Sequence, residues 1–452
     1  MGMMERFRNS EQRRVVVIGV DGLPFSLIDA HPDRFEQFHA LMETGDGGPL
    51  TSIVPTASSV TWPSLFTGRN PGETGVYGLL DRHIHTYETY ITAADDVQAI
   101  PVWDRVAEAG RRASVINAPV TYPPQRNLTR MVADYQAPDL DRAVYPRSVA
   151  DELRPLDYRL DVDATLGQRD SGAFLEDAYE TIDARYEAIA HFLERDDWDL
   201  FVGVFTTPDR VNHFLYGDYL EDGPHRDDFL AFYEQLDTYL GAIRSHLPDE
   251  ATLLVVSEHG FVPLEFEVQV NAWLEANGWL SYQTAEPERL SHITDETRAF
   301  SLDPGRIYLN LKEREPRGSV SQEEYEIVRD RLRDSLMTWT GPDGRPVARE
   351  VITREERFRG KHVDLAPDLV IIPHDGFDLH ARFTAQDAAF HRSARTGMHR
   401  ETDAFIGTDQ TDANLDQATI YDLAPTILDL LGLTVEPAEF DGRSLFQPSV
   451  TG

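Results

Sequence analysis

The run VVVIGVD at residues 15–21, with Gly22 behind it, decides how the chain is read. Its aliphatic and β-branched residues predict a strand buried on both faces, as inside a parallel sheet. A carboxylate closes the run, and a glycine then lets the backbone turn. Open α/β sheets bind ligands at the carboxyl ends of such strands, so Asp21 is a candidate metal ligand. An aspartate here could equally cap the following helix. The choice rests on whether other segments carry similar groups to the same edge.

Two more strands do. LFVGVF at Leu200–Phe205 runs into Thr206-Thr207-Pro208-Asp209 and then His213. Asp209 and His213 stand one helical turn apart, so both side chains can reach one ion. TLLVV at 252–256 ends in Ser257-Glu258-His259-Gly260, again an acid and an imidazole at a strand terminus. Capping does not explain three strands that each deliver a carboxylate. Gly397-Met398-His399, expected on a loop, adds one more imidazole.

A hydroxyl stands in PTASSVTWPSLFTGRNPGETGVYG, residues 55–78. Ser58 or Ser59 is predicted at the N-cap of a helix whose apolar positions are Val60, Trp62, Leu65 and Phe66, with Pro63 in or near the first turn. Gly68 and Asn70-Pro71-Gly72 then end the helix and turn the chain. A hydroxyl at a helix N-terminus meets free N–H groups and a partial positive charge, which favour an alkoxide and bind phosphoryl oxygens. Serine is also a common plain cap.

The remaining pattern is α/β. Helices are predicted at 35–41, 102–109, 172–195, 229–247 and 420–432, and strands at 50–54 and Ala113–Ile116. From 261 to 363 the character changes to a short helix at 268–278, a strand at 306–311 and a helix at 322–337. This reads as an inserted, smaller α+β lobe. PDLVIIP at 367–373 is expected to return to the central sheet. The fold class is a three-layer αβα sandwich around a mostly parallel sheet. Its core spans 14–260 and 364–448, the lobe 261–363, and a polar tail 1–13.

Composition narrows the function. The 452 residues hold 42 Lys+Arg against 78 Asp+Glu, a net charge of −36, which repels nucleic acid polymers and anionic membranes. Such a surface suits concentrated salt, where repulsion is screened over roughly 3 Å at 1 M. There is no cysteine, so thiolate nucleophiles, disulfides and Cys-held metals are excluded. No apolar signal core or membrane-length apolar window occurs, and the expected location is the cytoplasm, in a high-salt organism. Asp21, Ser58, Asp209, His213, Glu258, His259 and His399 together form a ligand set for two divalent ions. Mixed N/O ligation favours zinc, with manganese as the alternative. Three carboxylates and an alkoxide would nearly balance two such ions before an anionic phosphoryl substrate enters.

With these motifs the sequence resembles the alkaline phosphatase superfamily, and within it the type I phosphodiesterase/nucleotide pyrophosphatase enzymes. The resemblance runs through GVDG at 19–22, the PT…TG…NPG block at 55–72, D…H at 209–213, SEHGF at 257–261, G-x-H at 397–399 and APTILDLLG…DGRSL at 424–445. It implies one metal held by Asp209, His213 and His399, and another by Asp21, Glu258, His259 and the nucleophile. Counting back from Thr67-Gly68 puts that nucleophile at Ser58, with Ser59 its rival, and sets Thr61 where the family has a donor to the phosphoryl oxygen. Two positions depart from the family pattern: Glu258 replaces the usual Asp, and Thr74 stands where a His is common. The implied activity is hydrolysis of phosphodiesters of nucleotides or other small phosphorylated molecules, through a serine phospho-enzyme. Phosphotransfer, monoester hydrolysis or an inert metal-binding role would use the same ligands. A sulfatase would need Pro and Arg after the nucleophile, where this chain reads Ser-Val-Thr-Trp.

Overall fold

A computed structural model describes residues 13–446. The expected tail therefore lies outside the described residues except for Arg13, as do residues 447–448 at the end of the expected core. Strand β1, Arg14–Val20, sits in the middle of an eight-stranded sheet. The other strands are β2 (Asp46–Leu50), β3 (Ala113–Ile116), β4 (Arg130–Val132), β5 (Val144–Tyr145), β6 (Leu200–Phe205), β7 (Ala251–Val256) and β8 (Ala404–Thr408). Their order is β2-β8-β7-β1-β6-β3-β4-β5. The pairs from β7 to β4 are parallel, while β8, the edge strand β2 beyond it and the edge strand β5 join through antiparallel pairs.

Both faces of this sheet are covered, which is why β1 is apolar throughout. Val16, Ile18 and Val20 pack into one core and Val15 and Val17 into the other. The first core is closed by α2 (Ser171–Leu193), α3 (Thr207–Leu220) and α4 (Arg226–His246), the second by α1 (Ser58–Thr67) and α5 (Leu423–Leu430). The three-layer α/β expectation holds. Because β7, β1 and β6 are neighbours, their carboxyl ends bring residues 258, 21 and 209 to one edge.

Several local expectations are corrected. Helix α1 is capped by Ala57, not by a serine side chain, so Ser58 is its first helical residue. Pro63 lies in the second turn of α1, inside the helix. The strand expected at 50–54 lies at Asp46–Leu50, an edge position that tolerates Pro49. His399 stands on a short strand, Gly397–Arg400, which pairs antiparallel with Gly260–Gln269 and sets His399 opposite Phe261.

The largest correction concerns the segment expected to rejoin the central sheet. Leu369–Pro373 pairs antiparallel with Arg306–Leu309 and Ala348–Thr353 in a separate four-stranded sheet. Leu369 and Ile371 face one apolar cluster, Val370 and Ile372 another. A strand central in either sheet has this pattern, so the sequence does not separate the two. Asp368, just ahead of the strand and fully buried, locks it in place. Its carboxylate accepts from Arg314 Nη2 and Leu309 N, both at 2.7 Å, and lies 3.2 Å from Arg354 Nη2.

Burial opposes ionisation of Asp368, but Arg314 and Arg354 outweigh it and hold its carboxyl below the usual range. Its contribution to stability is present above the unfolded carboxyl value of about 4 and declines as pH falls from there toward the folded value. Asp368→Ala takes from Arg314 and Arg354 the carboxylate they share, leaving Arg314 with the carboxylate of Glu315 alone at 3.0 Å. It is expected to cost about 3–5 kcal/mol in chemical denaturation at neutral pH. The difference from the unaltered chain should shrink as the pH is lowered below about 4.

Candidate metal and phosphoryl site

The strand ends place their side chains through local devices that the sequence encodes. Gly22 turns with φ +68°, and a Cβ there would stand 2.6 Å from the Phe261 ring. A Cβ on Gly19 would stand 2.6 Å from Trp62, so the bare backbone of β1 lets that indole lie against the sheet. Trp62 Nε1 then donates to Asp21 Oδ2 at 3.1 Å. Gly22 N donates to Glu258 Oε2 at 3.3 Å. Asn212 Nδ2 donates to the Gly22 carbonyl at 2.7 Å, and Tyr233 Oη in turn donates to Asn212 Oδ1 at 2.9 Å.

Around this frame the structure gathers Asp21, Ser58, Asp209, His213, Glu258, His259 and His399. Ser58 Oγ lies 3.3 Å from both Asp21 Oδ1 and His259 Nε2. His259 Nε2 is also 3.1 Å from Glu258 Oε1. His399 Nε2 stands 3.0 Å from Asp209 Oδ1 and 3.0 Å from His213 Nε2. The ligand atoms of Asp21, Glu258 and His259 lie within 4.8 Å of one another, and so do those of Asp209, His259 and His399. His259 thus stands between the two clusters. Ser59 and Thr61 do not join them. Ser59 Oγ is buried without a hydrogen-bond partner, and Thr61 donates its hydroxyl proton to the Ala57 carbonyl at 3.0 Å.

The donor chemistry fits two cations. His399 Nδ1 faces the Thr56 carbonyl at 3.2 Å, and His259 Nδ1 faces that of Gly260 at 3.3 Å. A carbonyl only accepts, so each Nδ1 carries a proton, and each Nε2 is the nitrogen turned toward the carboxylates. Glu258 Oε1 is buried with no donor. Carboxylates packed this closely call for positive charge among them, which two divalent cations would supply. Burial, with Glu258 and Asp209 close by, pushes the Asp21 carboxyl well up, and burial pushes Glu258 up to about 7. Burial also opposes ionisation of Asp209, yet His213, His399 and Arg210 hold it low. His213 is pushed well down by burial, with Arg395 and His399 adding, so its imidazole is neutral and suited to ligation.

Sequence reasoning missed the supports. Phe261 sits under the imidazoles of His213, His259 and His399, with ring centroids 5.0, 5.7 and 5.2 Å away. Arg210 Nη1 donates to Asp209 Oδ2 at 3.0 Å, and Arg395 Nη2 reaches His213 Nδ1 at 2.9 Å. Arg210 directly follows Asp209, and that adjacency is the one signal that could have found it. Nothing local marks Arg395.

The sequence matches the family described as type I phosphodiesterase / nucleotide pyrophosphatase over residues 15–400. No curated protein matches it. Among solved structures, phosphonoacetate hydrolase from Sinorhizobium meliloti 1021 in complex with phosphonoformate is 18% identical with a TM-score of 0.63, covering 93% of this chain and 96% of that one. Murine ectonucleotide pyrophosphatase / phosphodiesterase 5 is 16% identical at TM-score 0.56, covering 94% and 96%. An inactive threonine-to-alanine variant of the murine protein in complex with AMP is 16% identical at TM-score 0.55, with the same coverage. At these identities the likeness is one of fold.

Trp62→Phe removes the indole proton from a buried carboxylate while keeping an aromatic ring against Gly19. It is expected to weaken zinc binding by about 10–100-fold, read by competition with a chromophoric chelator.

Proposed function

The chain belongs to the type I phosphodiesterase / nucleotide pyrophosphatase family of the alkaline phosphatase superfamily and is a hydrolase of phosphoric ester bonds, and we propose that it cleaves phosphodiesters by double displacement at Ser58. The observation that carries this reading is the Ser58 hydroxyl, 3.3 Å from both Asp21 Oδ1 and His259 Nε2. Asp21, Glu258 and His259, with the serine oxygen, would hold one divalent ion, and Asp209, His213 and His399 the other. Zinc is the first choice and manganese the second. Such ions lower the pKa of a bound hydroxyl and neutralise phosphoryl charge.

Ser58 loses its proton and its oxygen attacks phosphorus. The P–O bond to one ester arm breaks, and that arm leaves as an alcohol once protonated. Water then attacks the serine-bound phosphorus and releases the monoester, restoring the hydroxyl. Ser58 opens α1, so the positive end of the helix favours an anionic oxygen there. Asn212 and Phe261 act on the groups that orient the site. The small phosphorus-containing anions named with the similar structures support a small phosphorylated substrate here.

Zinc- or manganese-loaded protein is expected to release p-nitrophenol from bis-p-nitrophenyl phosphate, and a chelator to stop it. Ser58→Ala should lower kcat on the order of 10⁴-fold or more with metal content unchanged. Loss of turnover in Ser59→Ala, with Ser58→Ala active, would move the nucleophile by one residue and overturn this assignment.

A further inference from the structure

A cavity of about 250 Å³ opens beside His213 and His399, next to the Thr56-Ala57 pair that leads into Ser58. Its far wall is the strand that sequence reading misplaced, Leu369–Pro373, joined by Leu79 and Leu379; Met398 lines the side nearer the imidazoles. Leu79 is 41% exposed, so its side chain adds apolar surface to the open part of the lining. Among the described residues that line the cavity there is no phenyl, phenol or indole ring. The planar faces in the lining are the imidazoles of His213, His380 and His399 and the guanidiniums of Arg395 and Arg400, and the wall opposite them is aliphatic.

The charges in the lining are matched. Arg395 Nη1 and His380 Nε2 meet Asp378 Oδ2 at 2.7 and 3.1 Å, and His380 Nδ1 stands 3.9 Å from Asp303. Arg400 meets Asp375 at 3.0 Å, and Glu401 is paired with Arg349. A charged arm would meet charges that already have partners.

Resting on the phosphodiesterase reading above, we infer that this cavity takes one ester arm of the substrate, and that this arm is aliphatic and uncharged rather than a nucleoside. At the roughly 30 Å³ that a water-sized group occupies, the cavity has room for about eight methylene-sized groups.

The test uses metal-loaded protein and p-nitrophenyl alkyl phosphodiesters with methyl, butyl and hexyl arms, set against p-nitrophenyl thymidine 5′-phosphate and bis-p-nitrophenyl phosphate. kcat/KM is expected to rise about fourfold per methylene, the value of burying one CH₂. The hexyl ester should exceed the methyl ester on the order of 10³-fold, five methylenes at about fourfold each, and the thymidine ester more than about tenfold. Leu79→Trp, at an exposed position that fills the cavity mouth, should cut the hexyl-to-methyl ratio about tenfold. A flat alkyl series, an unchanged ratio in Leu79→Trp, or a thymidine ester better than hexyl overturns the inference while turnover of bis-p-nitrophenyl phosphate leaves the phosphodiesterase reading standing. Failure to hydrolyse any of the esters overturns both.

Discussion

Three buried carboxylates crowd together beside three imidazoles, and the rest of the structure works to hold that arrangement. Asp21, Asp209 and Glu258 are 4%, 2% and 0% exposed, and of the three only Asp209 has a guanidinium against it. Groups that repel in this way do not assemble unaided. The apolar layers on either face of β1 supply the cohesion, and the backbone ends of β7, β1 and β6 fix where each acid emerges. Local strain of this kind is what a site arranged for cations looks like when its neighbours are optimised for packing.

The parts that sequence reading found are those with a one-dimensional signature. A doubly buried strand followed by an acid reads the same in the sequence as in space, so Asp21, Asp209 and Glu258 were legible. His213 was found because helical spacing ties it to Asp209. The parts it missed depend on what the chain meets from elsewhere. Phe261 and Arg395 lie far apart in sequence, and their contacts with the imidazoles follow from the pairing of Gly260–Gln269 with Gly397–Arg400. Thr61 was expected to donate to substrate, but a hydroxyl inside a helix can instead satisfy the carbonyl four residues back. Leu369–Pro373 was placed in the wrong sheet because apolar burial on both faces does not say which sheet provides the faces.

That misplacement bears on function. Had the strand rejoined the central sheet, the edge beside His213 and His399 would lack its far wall. By pairing with Arg306–Leu309 and Ala348–Thr353 instead, the strand presents an aliphatic wall to the cavity that His213 and His399 also line. Asp368 sets its start through two arginines and a backbone amide, so the wall stands on a buried ionic anchor.

An aliphatic wall beside so many charged groups has an electrostatic consequence. Displacing water from the cavity lowers the local dielectric, and each remaining charge–charge term grows in inverse proportion. On the proposed reading, an arm that fills the cavity would do more than add apolar contact: it would strengthen the field of the carboxylate–imidazole cluster at the phosphorus it carries. Paired charges in the lining are needed for this to work, because an unpaired one would hold water in place. Asp378, shared between Arg395 and His380, serves that purpose on the side where Arg395 also touches His213. In this proposal substrate selection and phosphoryl chemistry would be joined through the dryness of one cavity.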